Sequence, residues 1–251
     1  MLIFSEFLWE KNCREINEDS LAINQVVIGR QPMTMAILCD GIGSLPGGEE
    51  ASSYVVACMR ELFDRIVETR GARLNAMRNA TAKQLKIIGN AVSRQLYECN
   101  DTLKGKGFGT TVCMIIIYNG EGIVFSAGDS RIYMGRKGHG FRQITPDQQD
   151  KSGRLTNAIG VGKKCRLYRK SIKVRQGDVF LLCSDGLYRR NDRLICNCRD
   201  YNRYNETRWH DKLKEWYEHA VKCGEKDNAG AVVVWTRKEN RYGRGDDYIK
   251  E

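Results

Sequence analysis

Apolar positions along the chain follow two rhythms. Short runs of strand character recur at Leu2–Trp9, Leu21–Ile28 and Thr34–Cys39, at Thr110–Tyr118, Gly122–Ser126, Arg131–Met134 and Phe141–Ile144, and at Ser171–Val174, Asp178–Cys183 and Ala231–Thr236. Turn dipeptides such as Asn119-Gly120 and Gln176-Gly177 separate several of them. Between the third and fourth runs the rhythm becomes helical: Val55, Met59, Leu62, Phe63 and Ile66 share one face, and so do Leu85, Ile88, Val92, Leu96 and Cys99. Trp209, Leu213, Trp216 and Ala220 predict a third helix near Asn205–Cys223. These stripes read as core faces. Strands and helices do not alternate, which disfavours a doubly wound parallel sheet. The order predicts an α+β fold, two packed antiparallel sheets covered by helices.

Composition narrows the class. With 251 residues, 41% hydrophobic and 29% charged, the chain holds enough apolar material for a core, which excludes wholesale disorder. Its longest apolar runs, such as Thr111–Tyr118, are too short to span a bilayer, so no membrane association is expected. The N-terminus carries Glu6 and Glu10 and lacks the basic region of a secretory signal, which points to a cytoplasmic protein. Ten cysteines show no C-x-x-C spacing; Cys39, Cys113 and Cys183 lie within apolar runs and read as reduced core residues. The three histidines are too isolated for a zinc site, and His210 and His219 fall on the last helix. Charge is the one unusual number: 41 Lys and Arg against 31 Asp and Glu give +10. Nucleic acid is the first anionic partner such a balance suggests, but no recognised module accompanies it, so none is expected.

The chemistry collects at strand boundaries. Met35–Cys39 delivers Asp40-Gly41, and Val179–Ser184 delivers Asp185-Gly186. A buried strand fixes a carboxylate at its end, and hard oxygen donors of this kind suit Mg²⁺ or Mn²⁺. Either Asp-Gly alone reads more simply as a turn. Three further acidic features shift the balance: Asn17-Glu18-Asp19 behind Arg14, Gly128-Asp129-Ser130-Arg131 between two strands, and Asp227-Asn228 before the last strand.

This ordered set resembles the metal-dependent type 2C serine/threonine protein phosphatases in their compact bacterial form. The resemblance runs from about Arg14 to Thr236 and includes Gly109-Thr110-Thr111, Ile144-Thr145-x-Asp147, Leu155–Gly160, Gly177-Asp178 and Ser184-Asp185-Gly186-Leu187. It implies an αββα sandwich over residues 1–236, followed by a charged tail over 237–251. It implies that Asp40 bridges two ions, Mn²⁺ or Mg²⁺, that the Gly41 carbonyl binds one, and that Asp185 and Asp227 ligate the other. Glu18 and Asp19 would hold waters or outer contacts, Arg14 would bind the substrate phosphate, and Asp129 would help bind a weak third ion. A metal-activated water would attack phosphorus in line, with no phospho-enzyme. Substrates would be phosphorylated proteins, products of a Ser/Thr kinase, and the enzyme a monomer.

The sequence departs from the family pattern at three positions. Many relatives carry another Asp four residues after the Asp185 equivalent, where this chain has Arg189; Asp192 is the nearby acid that would substitute. Ile42 stands where some eukaryotic relatives have His, which leaves protonation of the leaving group to water. Asp147-Gln148 replaces a common Asp-His in a flap-like stretch. Positive residues crowd Lys163–Arg175 and Arg189, Arg190 and Arg193, either as a solvated face or as a rim for acidic phosphoprotein. Arg189 also motivates a second reading, a weakly active or inactive binding module on the same fold. A two-metal nuclease is a third, motivated only by the charge and the carboxylates.

Overall fold

The computed structural model describes residues 1–76, 80–162 and 164–238. Lys163 of the basic segment, and the expected tail from residue 239 on, lie outside the described residues. In chain order come β1 (Leu2–Glu10), β2 (Asp19–Ile28), β3 (Gln31–Asp40), α1 (Gly48–Ala76), α2 (Thr81–Lys106), β4 (Val112–Tyr118), β5 (Glu121–Ala127), β6 (Arg131–Gly135), β7 (Phe141–Gln143), β8 (Tyr168–Lys173), β9 (Val179–Cys183), α3 (Asp185–Tyr188), α4 (Asp192–Asn197), α5 (Glu206–Lys222) and β10 (Ala229–Arg237). They form two five-stranded sheets, in the orders β1-β10-β9-β6-β7 and β2-β3-β4-β5-β8. Every pairing is antiparallel.

Strand periodicity sorts the apolar side chains into three layers. From β3, Ala36 and Leu38 point between the sheets, where they join Phe180 and Leu182 of β9 and Val232 and Val234 of β10. The alternate residues Met33, Met35, Ile37 and Cys39 point the other way, onto Val55, Met59, Leu85 and Ile88 of α1 and α2. Across the sandwich, Leu181 and Cys183 pack on Trp209, Leu213 and Trp216 of α5. The layering is therefore αββα, as expected. Strands covered on both faces read as unbroken apolar runs, which is why β3, β4, β9 and β10 stand out in sequence.

Element boundaries differ from the sequence reading where pairing, not hydrophobicity, decides them. β8 spans Tyr168–Lys173, three residues earlier than its apolar signal, because its backbone pairs with β5 from Tyr168 onward through charged positions. It is an edge strand, and exposed Lys170 and Lys173 discourage further strand addition there. Thr110 precedes β4 and instead bridges Gly41 and Ile159. The helices α3 and α4 are too short to carry a periodic signal. The ten cysteines are unpaired, with Cys39, Cys113 and Cys183 buried as expected. His219 sits at the core edge, its Nδ1 2.8 Å from Asn191 Oδ1. No helix among the described residues is long and apolar enough to cross a membrane.

Antiparallel pairing brings the predicted acidic boundaries to one end of the sandwich. Asp19 and Asp40 are cross-strand partners, Leu38 pairs with Cys113, and Val112 with Ala127 just before Asp129. In the other sheet Cys183, two residues before Asp185, pairs with both Arg131 and Ala231. Phe180 of β9 fills the space between the sheets and is fully buried. Phe180→Ala is expected to lower unfolding free energy by about 3–5 kcal/mol, as measured by urea denaturation, through lost burial and the cavity left behind. A loss below about 1 kcal/mol would mean that the two sheets do not depend on this contact.

Candidate metal centre

Asp40 is held by its backbone. Its N–H donates to Thr111 Oγ1 at 3.0 Å, and its carbonyl accepts from Thr110 Oγ1 at 2.9 Å and the Thr111 N–H at 2.8 Å. Thr111 Oγ1 lies 2.7 Å from Ser130 Oγ, so the turn carrying Asp129 braces the strand end carrying Asp40. That turn requires glycine at 128: φ is +107°, and a Cβ there would approach Thr111 Cγ2 to 2.7 Å.

Asp19 links the two sheets. Its Oδ2 accepts from Ser184 Oγ at 2.7 Å, and Ser184 Oγ in turn accepts from the Gly230 N–H at 2.9 Å. Its other oxygen, Oδ1, is buried and has no hydrogen-bond partner. Glu18 reaches over the start of α1, where its carboxylate fills the space a Cβ at Gly48 would need, and this places an anion at a helix N-terminus. The Glu18 N–H donates to Asn228 Oδ1 at 2.9 Å, and Asn228 Nδ2 donates to the Lys11 and Ile16 carbonyls at 2.9 and 3.0 Å. Asn228 thus fastens the loop that carries Arg14.

Two guanidinium groups face these acids. Arg14 Nη2 lies 3.0 Å from Asp227 Oδ1, with its side chain half exposed. Arg189 Nη2 donates to Asp185 Oδ2, and its Nη1 donates to Glu225 Oε1 at 2.9 Å. Glu225 is buried and also accepts the N–H groups of Lys226 and Asp227 at 3.1 and 3.2 Å. Asp192 lines the same cleft as Asp129 and Asp185, and its Oδ1 accepts from Tyr133 Oη at 2.7 Å and from Arg131 Nη1 at 2.9 Å. Arg131 is also paired with Asp147 through two nitrogens, and its guanidinium lies 3.8 Å from the centre of the Tyr188 ring. Gln148 closes the flap onto the same turn, its Oε1 accepting the Gly128 N–H at 2.9 Å and its own N–H donating to the Gly128 carbonyl at 3.0 Å.

The electrostatics follow from crowding like charges in a partly dry place. Burial first, then the neighbouring acids, pushes the Asp40 carboxyl well above its ordinary value. Burial raises Asp19 to about 7, against the Ser184 hydrogen bond. It raises Asp185 to about 7 despite the opposing pull of Arg189. Glu18 and Asp129 are also raised, both chiefly by burial. Asp129, Asp185, Tyr188 and Arg189 open onto a cleft of about 450 Å³ beside the flap residues Ser152 and Gly153. A separate groove between β1 and α1, lined by Phe7, Trp9 and Arg60, holds none of these acids.

The predicted residues Arg14, Glu18, Asp19, Asp40, Gly41, Asp129, Asp185 and Asp227 therefore lie around one end of the sandwich. Among the described residues no three Asp, Glu, His or Cys side chains close up as a ready-made cage for an ion; Asp185 and Asp227 are engaged by Arg189 and Arg14. The donor set nevertheless fits a hard divalent cation. It is all oxygen, it carries excess negative charge, and it includes a buried carboxylate oxygen with no other partner. Sequence reasoning assigned no role to Ser184, Thr111 or Asn228, although each lies within a motif it quoted. It missed Glu225 entirely, whose signal is only an acid two residues before Asp227.

Comparison with known proteins bears on the fold and the family. The family model described as protein phosphatase 2C matches residues 14–231. Protein phosphatase PhpP of Streptococcus pneumoniae is 29% identical over 179 residues, 64% of this chain and 70% of that protein. Serine/threonine protein phosphatase PstP of Mycobacterium tuberculosis is 30% identical over 192 residues, 69% of this chain and 34% of that longer protein. Among solved structures, a PstP catalytic domain in complex with two manganese ions superposes with a TM-score of 0.69 at 25% identity, covering 94% of this chain and 99% of that one. PppA of Pseudomonas aeruginosa gives a TM-score of 0.70 at 22% identity, covering 94% and 98%.

The raised acids make a prediction for the protein in chelator. Asp19 and Asp185 bind their protons more tightly folded than unfolded, so their favourable contribution is complete below the ordinary value of 3.8 and is lost as pH rises through about 7. Melting temperature is expected to fall across that window. Asp40→Asn removes a carboxyl that folding makes hold its proton against its ordinary preference, and is expected to melt above wild type near pH 7.5 but not near pH 4.5. A variant that melts lower at both values would mean that the Asp40 charge supports the fold.

Proposed function

The chain belongs to the protein phosphatase 2C family, and on that premise we propose that it is a metal-dependent phosphatase acting on phosphoserine and phosphothreonine in proteins. The observation that carries the proposal is the meeting of Asp19 and Asp40 from one sheet with Asp185 and Asp227 from the other, at sheet ends locked by cores on both faces. In this reading Asp40, the Gly41 carbonyl, Asp185 and Asp227 hold two Mn²⁺ or Mg²⁺ ions, Glu18 and Asp19 take the contacts just outside them, and Asp129 lies beside a weaker third position. When bound, the ions supply the acidity that activates a water and the positive charge that steadies the phosphoryl oxygens.

The protein's own part is positioning. Asp19 is fixed by Ser184, so its free oxygen keeps one direction. Arg14 stands at the rim, paired to Asp227 yet half exposed, and its guanidinium can turn to the phosphoryl group and engage two of its oxygens. Ile42 follows Asp40-Gly41, so the departing Ser or Thr oxygen takes its proton from water. Exposed Lys164, Arg166 and Lys170 offer an approach for the acidic surroundings of a phosphorylated site, such as a Ser/Thr kinase produces.

Release of phosphate from a phosphothreonine peptide is expected to require Mn²⁺ and to fall roughly a thousandfold or more in Asp40→Asn. Arg14→Ala is expected to lower kcat/KM by about 10- to 100-fold, the cost of a charge-assisted contact to phosphate. Mn²⁺ binding without turnover would favour the binding-module reading, to which the grip of Arg189 on Asp185 lends weight. Cleavage of DNA or RNA in place of the peptide would favour a nuclease.

A further inference from the structure

Arg189 is the cation most closely built into the carboxylate centre. It is the first residue after α3, and its N–H donates to the Asp185 carbonyl at 2.8 Å, so one helical turn returns its side chain over Asp185. The guanidinium then spans two acids. Nη2 donates to Asp185 Oδ2 and lies 3.9 Å from Asp227 Oδ2, and Nη1 donates to Glu225 Oε1 at 2.9 Å. Glu225 is only 6% exposed, and a buried carboxylate needs a charged partner. Arg190 is more distant from it, at 3.9 Å. Arginine cannot shed its proton, so this positive charge is permanent. The Asp185 oxygen that Arg189 occupies belongs to the cleft that Asp129 also lines.

We propose that Arg189 is a built-in counter-cation of the centre: it neutralises Asp185 and Glu225 when no divalent ion is bound, and it competes with a divalent ion for Asp185. The first half stands on the ion pairs alone. The second rests on the metal-centre reading above. The chain would thereby stay folded without metal, at the expense of weaker metal binding at Asp185 than a neutral residue at position 189 would allow.

The experiment compares wild type with Arg189→Ala, using thermal melting in chelator and calorimetric titration with Mn²⁺ alone. In chelator the variant is expected to melt several degrees lower, because two neighbouring acids lose their counter-charge. In the titration it is expected to bind Mn²⁺ about tenfold more tightly, the scale of a lost charge-assisted hydrogen bond. A merely structural arginine would lower melting without tightening the metal. Equal melting overturns the counter-cation, and unchanged or weaker Mn²⁺ affinity in a folded variant overturns the competition alone. Absence of Mn²⁺ binding in both proteins overturns the metal-centre reading and the competition with it. Should the alanine variant not fold in chelator, Arg189→Lys keeps the charge without the two-armed fork and is expected to bind Mn²⁺ with intermediate strength; affinity equal to wild type would count against the proposal.

Discussion

Everything at the functional end of this protein depends on holding like charges together where they repel. Asp19, Asp40 and Asp185 hold their protons more tightly than usual, first because they are buried and then because the acids around them repel a further negative charge. Such a group keeps its shape only if its backbone cannot retreat. The sandwich prevents retreat because β3 and β9 are buried on both faces, between a sheet and a helical layer. Hydroxyl groups then set the details. Thr110 and Thr111 fix the Asp40 backbone, and Ser184 ties Asp19 across from one sheet to the other. A surface cluster on loops would simply spread apart.

The basic excess of the chain looks different once the partners are known. A few of its arginines are internal braces. Arg131 joins Asp147 and Asp192, Arg136 joins Asp178, and Arg169 reaches from β8 to Asn90 and the Lys86 carbonyl on α2. These are planar, two-armed contacts that lysine would not reproduce. Most of the other lysines and arginines stay exposed, on the helices as well as near the flap and along the β8 edge.

How much of this was legible in the sequence follows from what each residue depends on. The doubly buried strands announced themselves by unbroken apolar runs, and Asp40 and Asp185 by the Asp-Gly that ends two of them. Asp19, Asp129 and Asp227 were legible as an ordered set, though none was individually distinctive. Glu225 and Ser184 were not, because their roles exist only after the two sheets close: Glu225 meets Arg189 across 36 positions of chain, and Ser184 meets Asp19 across 165. Arg189 was visible as a departure, but its meaning lay in partners that sequence does not reveal. Asp192 reads in the sequence as a spare acid near the centre; the fold leaves it on the cleft beside Asp129, with one oxygen held by Arg131 and Tyr133. β8 was misplaced because strand pairing there runs through charged residues.

The side chain of Gln148 carries a consequence of its own. It fastens the flap to the backbone of Gly128 with an amide, at a position where a histidine would change charge around its ordinary pKa of about 6.5. An amide has no such transition. This contact therefore keeps its charge as pH passes through that range. Behind that contact, Asp19 and Asp185 are pushed up to about 7, so a fall in pH through that range changes their charge and leaves the amide's alone.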